Sequence, residues 1–261
     1  MGSIQKEWLK LKKHQFLFEE LVKRDFKKKY KGTVLGMSWS LLSPLLMLLV
    51  MKLVFTQFFG RSTPHYTIYI FCGNVVWCYF SEATKGGMQA LVSNAGIFTK
   101  VNVPKYLFVL SKNFQSLISF LLTIVILFVF VAFDNLSFSW RYLMLLYPVI
   151  LLILLNIGAG MILSACFVFF RDTTYLYDVF LRLLMYLSAI FYNVNNYGAR
   201  VQRIFLVNPV YLFIKYFRCV LIDGNLPSLA FHLLMLADTA VIFGLGCLIY
   251  KKNNTRFLYY V

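Results

Sequence analysis

An uncharged stretch that follows a basic block most constrains what this chain can form. From Thr33 to Met51 the sequence has no charged residue, and five lysines and one arginine precede this stretch between residues 23 and 31. An apolar helix of about 20 residues is long enough to cross the hydrocarbon core of a bilayer. Lys and Arg are retained on the cytoplasmic side of a membrane. The pattern therefore predicts a spanning helix whose N-terminal end faces the cytoplasm.

The composition extends this prediction to the rest of the chain. Hydrophobic residues make up 60% of the sequence and charged residues 14%, whereas soluble domains are about half apolar and a quarter charged. We therefore expect an all-α polytopic membrane protein whose residues 37–249 form a six-helix membrane region. Residues 250–261 would form a cytoplasmic tail, with both termini cytoplasmic. The six expected spans are approximately residues 37–59, 66–81, 114–133, 142–170, 178–193 and 228–249.

Two further segments have patterns that are not those of a simple span. Within residues 1–32, apolar residues recur on one helical face and lysines occupy much of the rest, which is typical of a helix lying in the headgroup plane. Residues 195–227 are rich in apolar residues but interrupted by charges, including Arg218. Irregular backbone at membrane depth is tolerated only against protein or water. We expect two short helices there that dip into the outer leaflet and return.

Several classes of function are disfavoured by the residues. The net charge of +16 is concentrated on the predicted cytoplasmic side, where anionic lipid explains it without a nucleic-acid groove. The five cysteines and three histidines show no metal-ligand spacing. No GxxxxGK[ST] motif occurs, so the chain cannot bind ATP as a P-loop protein does. No acidic pair stands within a predicted span, which argues against an enzyme. Membrane lipid is the predicted surroundings of the spans.

Two charges and several aromatic residues fall within the predicted spans. Lys52 and Asp238 reach overlapping depths, so we expect them to pair or to face an aqueous pathway, unless Lys52 snorkels to the outer surface. Aromatic side chains form belts at membrane interfaces, and they also stack on sugar rings. Trp77, Tyr79 and Tyr186 are therefore candidates for lining a glycan path as well as for the belt.

Four motifs occur in order along the chain. They are RDFK at 24–27 with Tyr30, Leu35-Gly36, Trp39 and Pro44; NAGIFTKVNVPK at 94–105; Arg171-Asp172 before LSAIFY at 187–192; and Asn208-Pro209 before Phe217-Arg218, Gly224 and Leu226-Pro227. Together they resemble the membrane subunits of bacterial ABC exporters for lipid-linked polysaccharides (O-antigen, capsule or wall teichoic acid), which have the type-2 ABC permease fold. Ala189 departs from the pattern, since the family is expected to have proline there.

The resemblance implies partners for the chain. A separate ATPase subunit, present in two copies, would contact the segment that contains Asn94, Lys100, Pro104 and Lys105. ATP and magnesium would then bind to that partner, and no cofactor to this chain. The resemblance also implies that a second copy of this chain pairs with it, chiefly through the first and fifth spans, and that the two copies enclose a channel in the bacterial plasma (inner) membrane.

The same resemblance suggests a substrate and residues that meet it. Arg24, Lys27 and Lys28 are candidates for contacting the pyrophosphate of a lipid carrier, although anchoring on the positive-inside principle also accounts for them. One alternative keeps the fold and changes the cargo to a drug, lipid or small metabolite. Another is an ion-coupled secondary transporter using Lys52 and Asp238, for which inverted repeats would be expected. An integral membrane glycosyltransferase would need an acidic metal motif that the sequence does not show.

Overall fold

The described part of the chain is helical. The structure, a computed structural model, describes residues 12–59, 64–134, 136 and 138–260, without the side chains of residues 30, 37, 51, 52 and 55–59. The predicted all-α class is confirmed. The α-helices of these residues are α1 (Gln15–Tyr30), α2 (Trp39–Phe59), α3 (Tyr66–Ser93), α4 (Ala95–Phe98), α5 (Tyr106–Phe133), α6 (Leu146–Phe169), α7 (Thr173–Leu187), α8 (Ala199–Phe205), α9 (Pro209–Leu221) and α10 (Leu229–Asn253).

Helix α1 is the described part of the predicted interfacial helix. Leu21 is buried and belongs to an apolar cluster with the end of α3 and the start of α5. Phe18 packs edge-on against Phe114 of α5, with 5.3 Å between ring centroids. Lys27, Lys28 and Lys29 occupy its last turn, where cations interact favourably with the helix dipole. The first eleven residues of the predicted interfacial segment lie outside the described residues.

The centre of the bundle is formed by α3, α5 and α6, with α10 packed along α6. Close helix contact occurs at the small residues 158–160 of α6. A Cβ atom on Gly158 would lie 2.6 Å from the Phe243 Cα of α10. A Cβ atom on Gly87 of α3 would lie 2.9 Å from the Gly160 Cα. Small residues are what allow helix backbones to approach in lipid.

Helices α2 and α7 lie at the periphery and expose apolar side chains. Helix α2 packs on α3 and α5, and α7 makes smaller contacts with α3 and α6. Asp178 of α7 forms an ion pair with Lys85 of α3 at 2.7 Å. The outward faces suit lipid or a second protein. The exposed apolar side chains include Leu45, Leu49 and Leu53 on α2, and Leu176, Phe180 and Leu183 on α7.

The chain breaks after α7 earlier than the sequence indicates. The fifth span was predicted at 178–193, but α7 begins at Thr173 and ends at Leu187. Ala189, where the resemblance led us to expect proline, adopts a left-handed conformation with φ of 50°. Beyond it, α8 and α9 meet at 109° across a short break. This bent pair matches the predicted re-entrant helices.

The number of spans is a separate question. Among the described residues, three helical segments are long and apolar enough to cross a membrane, and four if the bent pair counts as one. Helix α3 carries Glu82 and Lys85, which lower its hydropathy, and α7 has only 15 residues. The six-span arrangement therefore remains a prediction. We call the end of the bundle formed by α1, residues 94–105 and residues 251–260 the basic end.

Candidate functional site at the basic end

A buried carboxylate attaches α1 to the bundle. Asp25 has a side chain only 2% exposed and forms ion pairs with Arg24 at 2.8 Å and Lys112 of α5 at 3.0 Å. Arg24 Nη2 also donates to the Asn94 side-chain oxygen at 2.7 Å. A carboxylate that is buried needs such partners, because an unpaired buried charge is costly. The structure thus brings Arg24 and Asn94 together, although the sequence assigned them to substrate access and to ATPase coupling.

The neighbouring lysines of α1 have different surroundings. Lys27 and Lys28 are exposed at the surface. Lys29 points to the bundle, where its ammonium lies 2.7 Å from Glu82 of α3 and 3.4 Å from the Ser119 hydroxyl of α5. The predicted access residues therefore divide between one that holds α1 in place and two that face outwards.

The predicted coupling segment packs against the end of the chain. The Asn94 amide donates to the Ala90 carbonyl at 2.8 Å and is buried at the end of α3. Lys105 is 7% exposed and donates to the Asn254 carbonyl, and this burial lowers the pKa of its ammonium. Lys100 is exposed and Pro104 is half-buried. The segment thus presents Lys100 on its surface and is held from behind by Asn94 and Lys105.

The tail that follows α10 is part of this region, which the sequence did not indicate. Phe257 is fully buried, and the centroid of its ring lies 5.9 Å from the Lys105 ammonium. Its ring packs 5.2 Å from that of Tyr250 and 6.0 Å from that of Phe169. An aromatic residue shortly after the last span was the available signal. Phe257 therefore anchors the exposed tail to the bundle, and Lys105 of the coupling segment contacts this tail.

The three aromatic residues predicted to line a glycan path lie in different environments. Trp77 borders a crevice of about 430 Å³ between α3 and α7, together with the Lys85–Asp178 ion pair. Tyr186 is 61% exposed on α7. Tyr79 is 2% exposed, and its hydroxyl donates to the Asn113 side chain at 2.8 Å inside the bundle. Within one copy of the chain, Trp77 and Tyr186 therefore face surfaces, whereas Tyr79 is buried and borders the internal cavity between α2, α3 and α5.

The two intramembrane charges belong to helices on different sides of the bundle. Lys52 lies in α2, which packs against α3 and α5, and its side chain is outside the described part of the structure. Asp238 lies in α10, which packs against α6 and α9. This packing gives no support to a pair within one chain, and the pairing remains a prediction.

An amphipathic cavity that the sequence did not predict lies beside α1. It has a volume of about 560 Å³ between α2, α3 and α5, and we call it the serine groove. The Lys29–Glu82 ion pair lies on its wall at the basic end. Serines spaced three apart on α2 and α5 were the available signal. Its polar lining includes Ser40, Ser43, Asn74, Cys78, Ser116 and Ser119.

A buried arginine organises the opposite end of the bundle. Arg218 of α9 donates to the backbone carbonyls of Tyr69 at 3.2 Å, Ala189 at 3.0 Å and Ile190 at 2.9 Å. Its guanidinium carbon also lies 3.4 Å from the centroid of the Tyr69 ring, a cation–π geometry. Arg218 therefore joins α3, the break after α7, and α9. The sequence identified it as a charge that interrupts an apolar region and as part of a motif, without indicating these contacts.

Comparison with known proteins places these features in a family. The model of the ABC-2 type transporter family matches residues 17–222, from α1 to the end of α9. The O-antigen export system permease protein RfbA of Myxococcus xanthus is 25% identical over 251 residues, which cover 95% of this chain and 96% of that protein. A protein of the same name from Klebsiella pneumoniae is 27% identical over 252 residues, covering 93% and 95%. Since the family model matches most of its length, the chain belongs to the ABC-2 type transporter family.

Proposed function

We propose that the chain is the membrane-spanning subunit of an ATP-driven exporter that moves a lipid-linked polysaccharide from the cytoplasmic side to the outside. The observation that carries this proposal is the match to O-antigen export permeases over 93–95% of the chain. A match of this extent includes α1, the coupling segment and the bent pair α8–α9. These are the parts in which a polysaccharide exporter would differ from an ordinary six-helix bundle.

The proposed assembly contains two copies of this chain and two copies of an ATPase. The exposed apolar faces of α2 and α7 support a second copy, since these helices correspond to the first and fifth spans. ATP and magnesium would bind to the ATPase, and this chain would hold neither. The channel would form between the two copies, where the crevice beside Trp77 opens between α3 and α7.

The basic end would face the cytoplasm of a bacterium. Lysines and arginines concentrate in α1, in residues 94–112 and in residues 251–256, and the positive-inside rule places such segments in the cytoplasm. With six spans, both termini lie on that side. The bent pair α8–α9 would then lie in the outer leaflet, and Arg218 would hold it against α3.

ATP binding would be transmitted through the coupling segment. Closure of the ATPase subunits would displace residues 94–105, which connect α3 directly to α5. The Arg24–Asn94 hydrogen bond would transmit the same displacement to α1. A ligand shifts a two-state equilibrium only by its differential affinity, and a near-complete switch needs about 5.5 kcal/mol. Binding of ATP to the partner supplies that difference, and this chain converts it into movement of helices.

The surface lysines of α1 would attract the pyrophosphate of the lipid carrier. We expect Lys27→Gln with Lys28→Gln to reduce export while the amount of protein in the membrane stays unchanged, because both side chains are exposed. Lys23→Gln is the matched control, since Lys23 is engaged with Glu20 on the same helix. A parallel fall in membrane insertion would instead assign these lysines to topology alone.

The function is tested by depleting the protein and measuring extracted lipid-linked glycans by mass spectrometry. We expect an intracellular lipid-linked polymer to accumulate while the same polymer disappears from the cell surface. Depletion of the ATPase should give the same result. An unchanged glycan pool would contradict polysaccharide export and favour an exporter of a drug, lipid or small metabolite with the same fold.

A further inference from the structure

The serine groove combines hydroxyl-bearing side chains with aromatic ones, which include Trp39, Tyr79 and Phe120. Along α2 it extends from Trp39 to Met47, about 12 Å at 1.5 Å per residue. Ser40 and Ser43 on α2 lie across the cavity from Ser116 and Ser119 on α5. Two serine-bearing helix faces thus border one open space.

The size of the groove and its mixed lining favour a ligand that has both hydroxyl groups and apolar faces, as a sugar ring does. A volume of about 560 Å³ lies within the range of about 300–1,000 Å³ that is usual for small-molecule sites. Serine hydroxyls donate and accept hydrogen bonds, as do the amide groups of Asn74. Ser116 and Asn74 are each 3% exposed. Neutral groups of this kind match the hydroxyls of a sugar better than they match a bare phosphate.

The wall at the basic end adds charge. Lys29 and Glu82 form an ion pair across it, between α1 and α3. Lys29 therefore connects the groove to the helix on which the exposed Lys27 and Lys28 lie. An amphiphile whose charged group met those lysines would have its adjacent polar portion at the groove.

We propose that the serine groove binds the sugar next to the lipid anchor of a membrane glycolipid, on the cytoplasmic side and before transport. This inference rests on the proposed function and adds the site at which each copy of the chain holds its substrate. The serines of α2 and α5 would hydrogen-bond the sugar hydroxyls. The lipid tail would remain in the inner leaflet, and Lys29 would exchange Glu82 for the ligand's charged group as it enters.

Cysteine labelling tests the proposal in the full-length protein. Ser119→Cys places a thiol in the groove, and Ala132→Cys places one on an exposed position of the same helix as a matched control. Membranes would come from cells with an inactive ATPase, so that the glycolipid accumulates, and from the same cells unable to make the glycan. The labelling rate of each site by a hydrophilic maleimide would be measured by site-resolved mass spectrometry.

In membranes without glycan, we expect Ser119→Cys to react faster than Ala132→Cys, because water fills the groove. With glycolipid at about ten times its Kd, labelling of Ser119→Cys should slow about tenfold, since only the unoccupied fraction reacts. Labelling of Ala132→Cys should not change. Rapid labelling of Ser119→Cys at the same rate with and without glycolipid would overturn the proposal, because the groove would then be open to water in both membranes.

A bulk substitution supplies a second readout. Ser43→Leu would fill the groove from α2 and should abolish the glycolipid-dependent protection and reduce export, whereas Ala132→Leu should affect neither. Full export by Ser43→Leu would overturn the assignment. The two proposals fail differently. If no glycan pool changes on depletion, polysaccharide export is wrong, whereas accumulation of a glycolipid that leaves the groove unprotected refutes only the site.

Discussion

Replacement of Arg218 gives the sharpest test of how the bent pair is held. Its guanidinium makes three hydrogen bonds to backbone carbonyls of 2.9–3.2 Å. It also covers the Tyr69 ring at 3.4 Å. In Arg218→Ala the carbonyls of Tyr69, Ala189 and Ile190 lose this donor in a site that is almost closed to water. The helices α3, α7 and α9 then lose their common polar contact.

The magnitude follows from these contacts. A hydrogen bond from a charged donor contributes about 1.5–3 kcal/mol, and a desolvated cation–π contact contributes about 2 kcal/mol. Removing the arginine also ends the cost of burying a cation, which is several kcal/mol. We therefore expect Arg218→Ala to lower the free energy of unfolding by about 3–5 kcal/mol. For a chain of this size that corresponds to a fall in Tm of about 10 °C.

The assay is thermal unfolding of the purified protein in detergent, with the folded fraction at each temperature measured by size-exclusion chromatography. Arg218→Lys keeps the charge but not the planar fork of donors, so its Tm should lie between those of the wild type and Arg218→Ala. Arg203→Ala on α8 is the control, since Arg203 is exposed and its loss should leave Tm unchanged. A Tm of Arg218→Ala within about 2 °C of the wild type, less than 1 kcal/mol, would refute this account.

Three further predictions concern other contacts. Asp25→Asn should loosen α1 and speed its proteolysis, because Lys112 loses its ion pair; equal cleavage rates would contradict this. Gly158→Ala should destabilise the protein by about 1–3 kcal/mol, as overpacking does, because the added Cβ would lie 2.6 Å from the backbone of α10. In the same thermal assay Gly244→Ala should be neutral, since a Cβ at that position has open space around it. Phe257→Ala should reduce copurification of the ATPase by releasing the tail from Lys105; undiminished copurification would exclude that role.

Much of the helical architecture could be predicted from periodicity and composition. The uncharged run after residue 32 predicts α2, whereas α3 continues to Ser93, beyond the predicted end of its span at residue 81. The charges between residues 195 and 227 predict broken helices there, and the structure has the bent pair α8–α9. These features are local, because each depends on residues within one or two helical turns.

The contacts that define the candidate sites could not be predicted in the same way. Arg218 reaches carbonyls that are 28 to 149 residues away in sequence. The serine groove exists only because α2, α3 and α5 converge, although the serines on any one helix are unremarkable. The early end of α7 depends on the left-handed Ala189 and on the arginine that binds its carbonyl. Such features arise from tertiary packing, which a single sequence does not encode in a readable pattern.

Reconstituted transport tests the central claim most directly. The chain and its ATPase would be incorporated into liposomes containing glycolipid extracted from depleted cells, and the fraction of glycan accessible on the opposite face would be measured with time. We predict that this fraction rises only when ATP, the ATPase and this chain are all present. Transport without the ATPase, or driven by an ion gradient alone, would contradict the account and favour a secondary transporter.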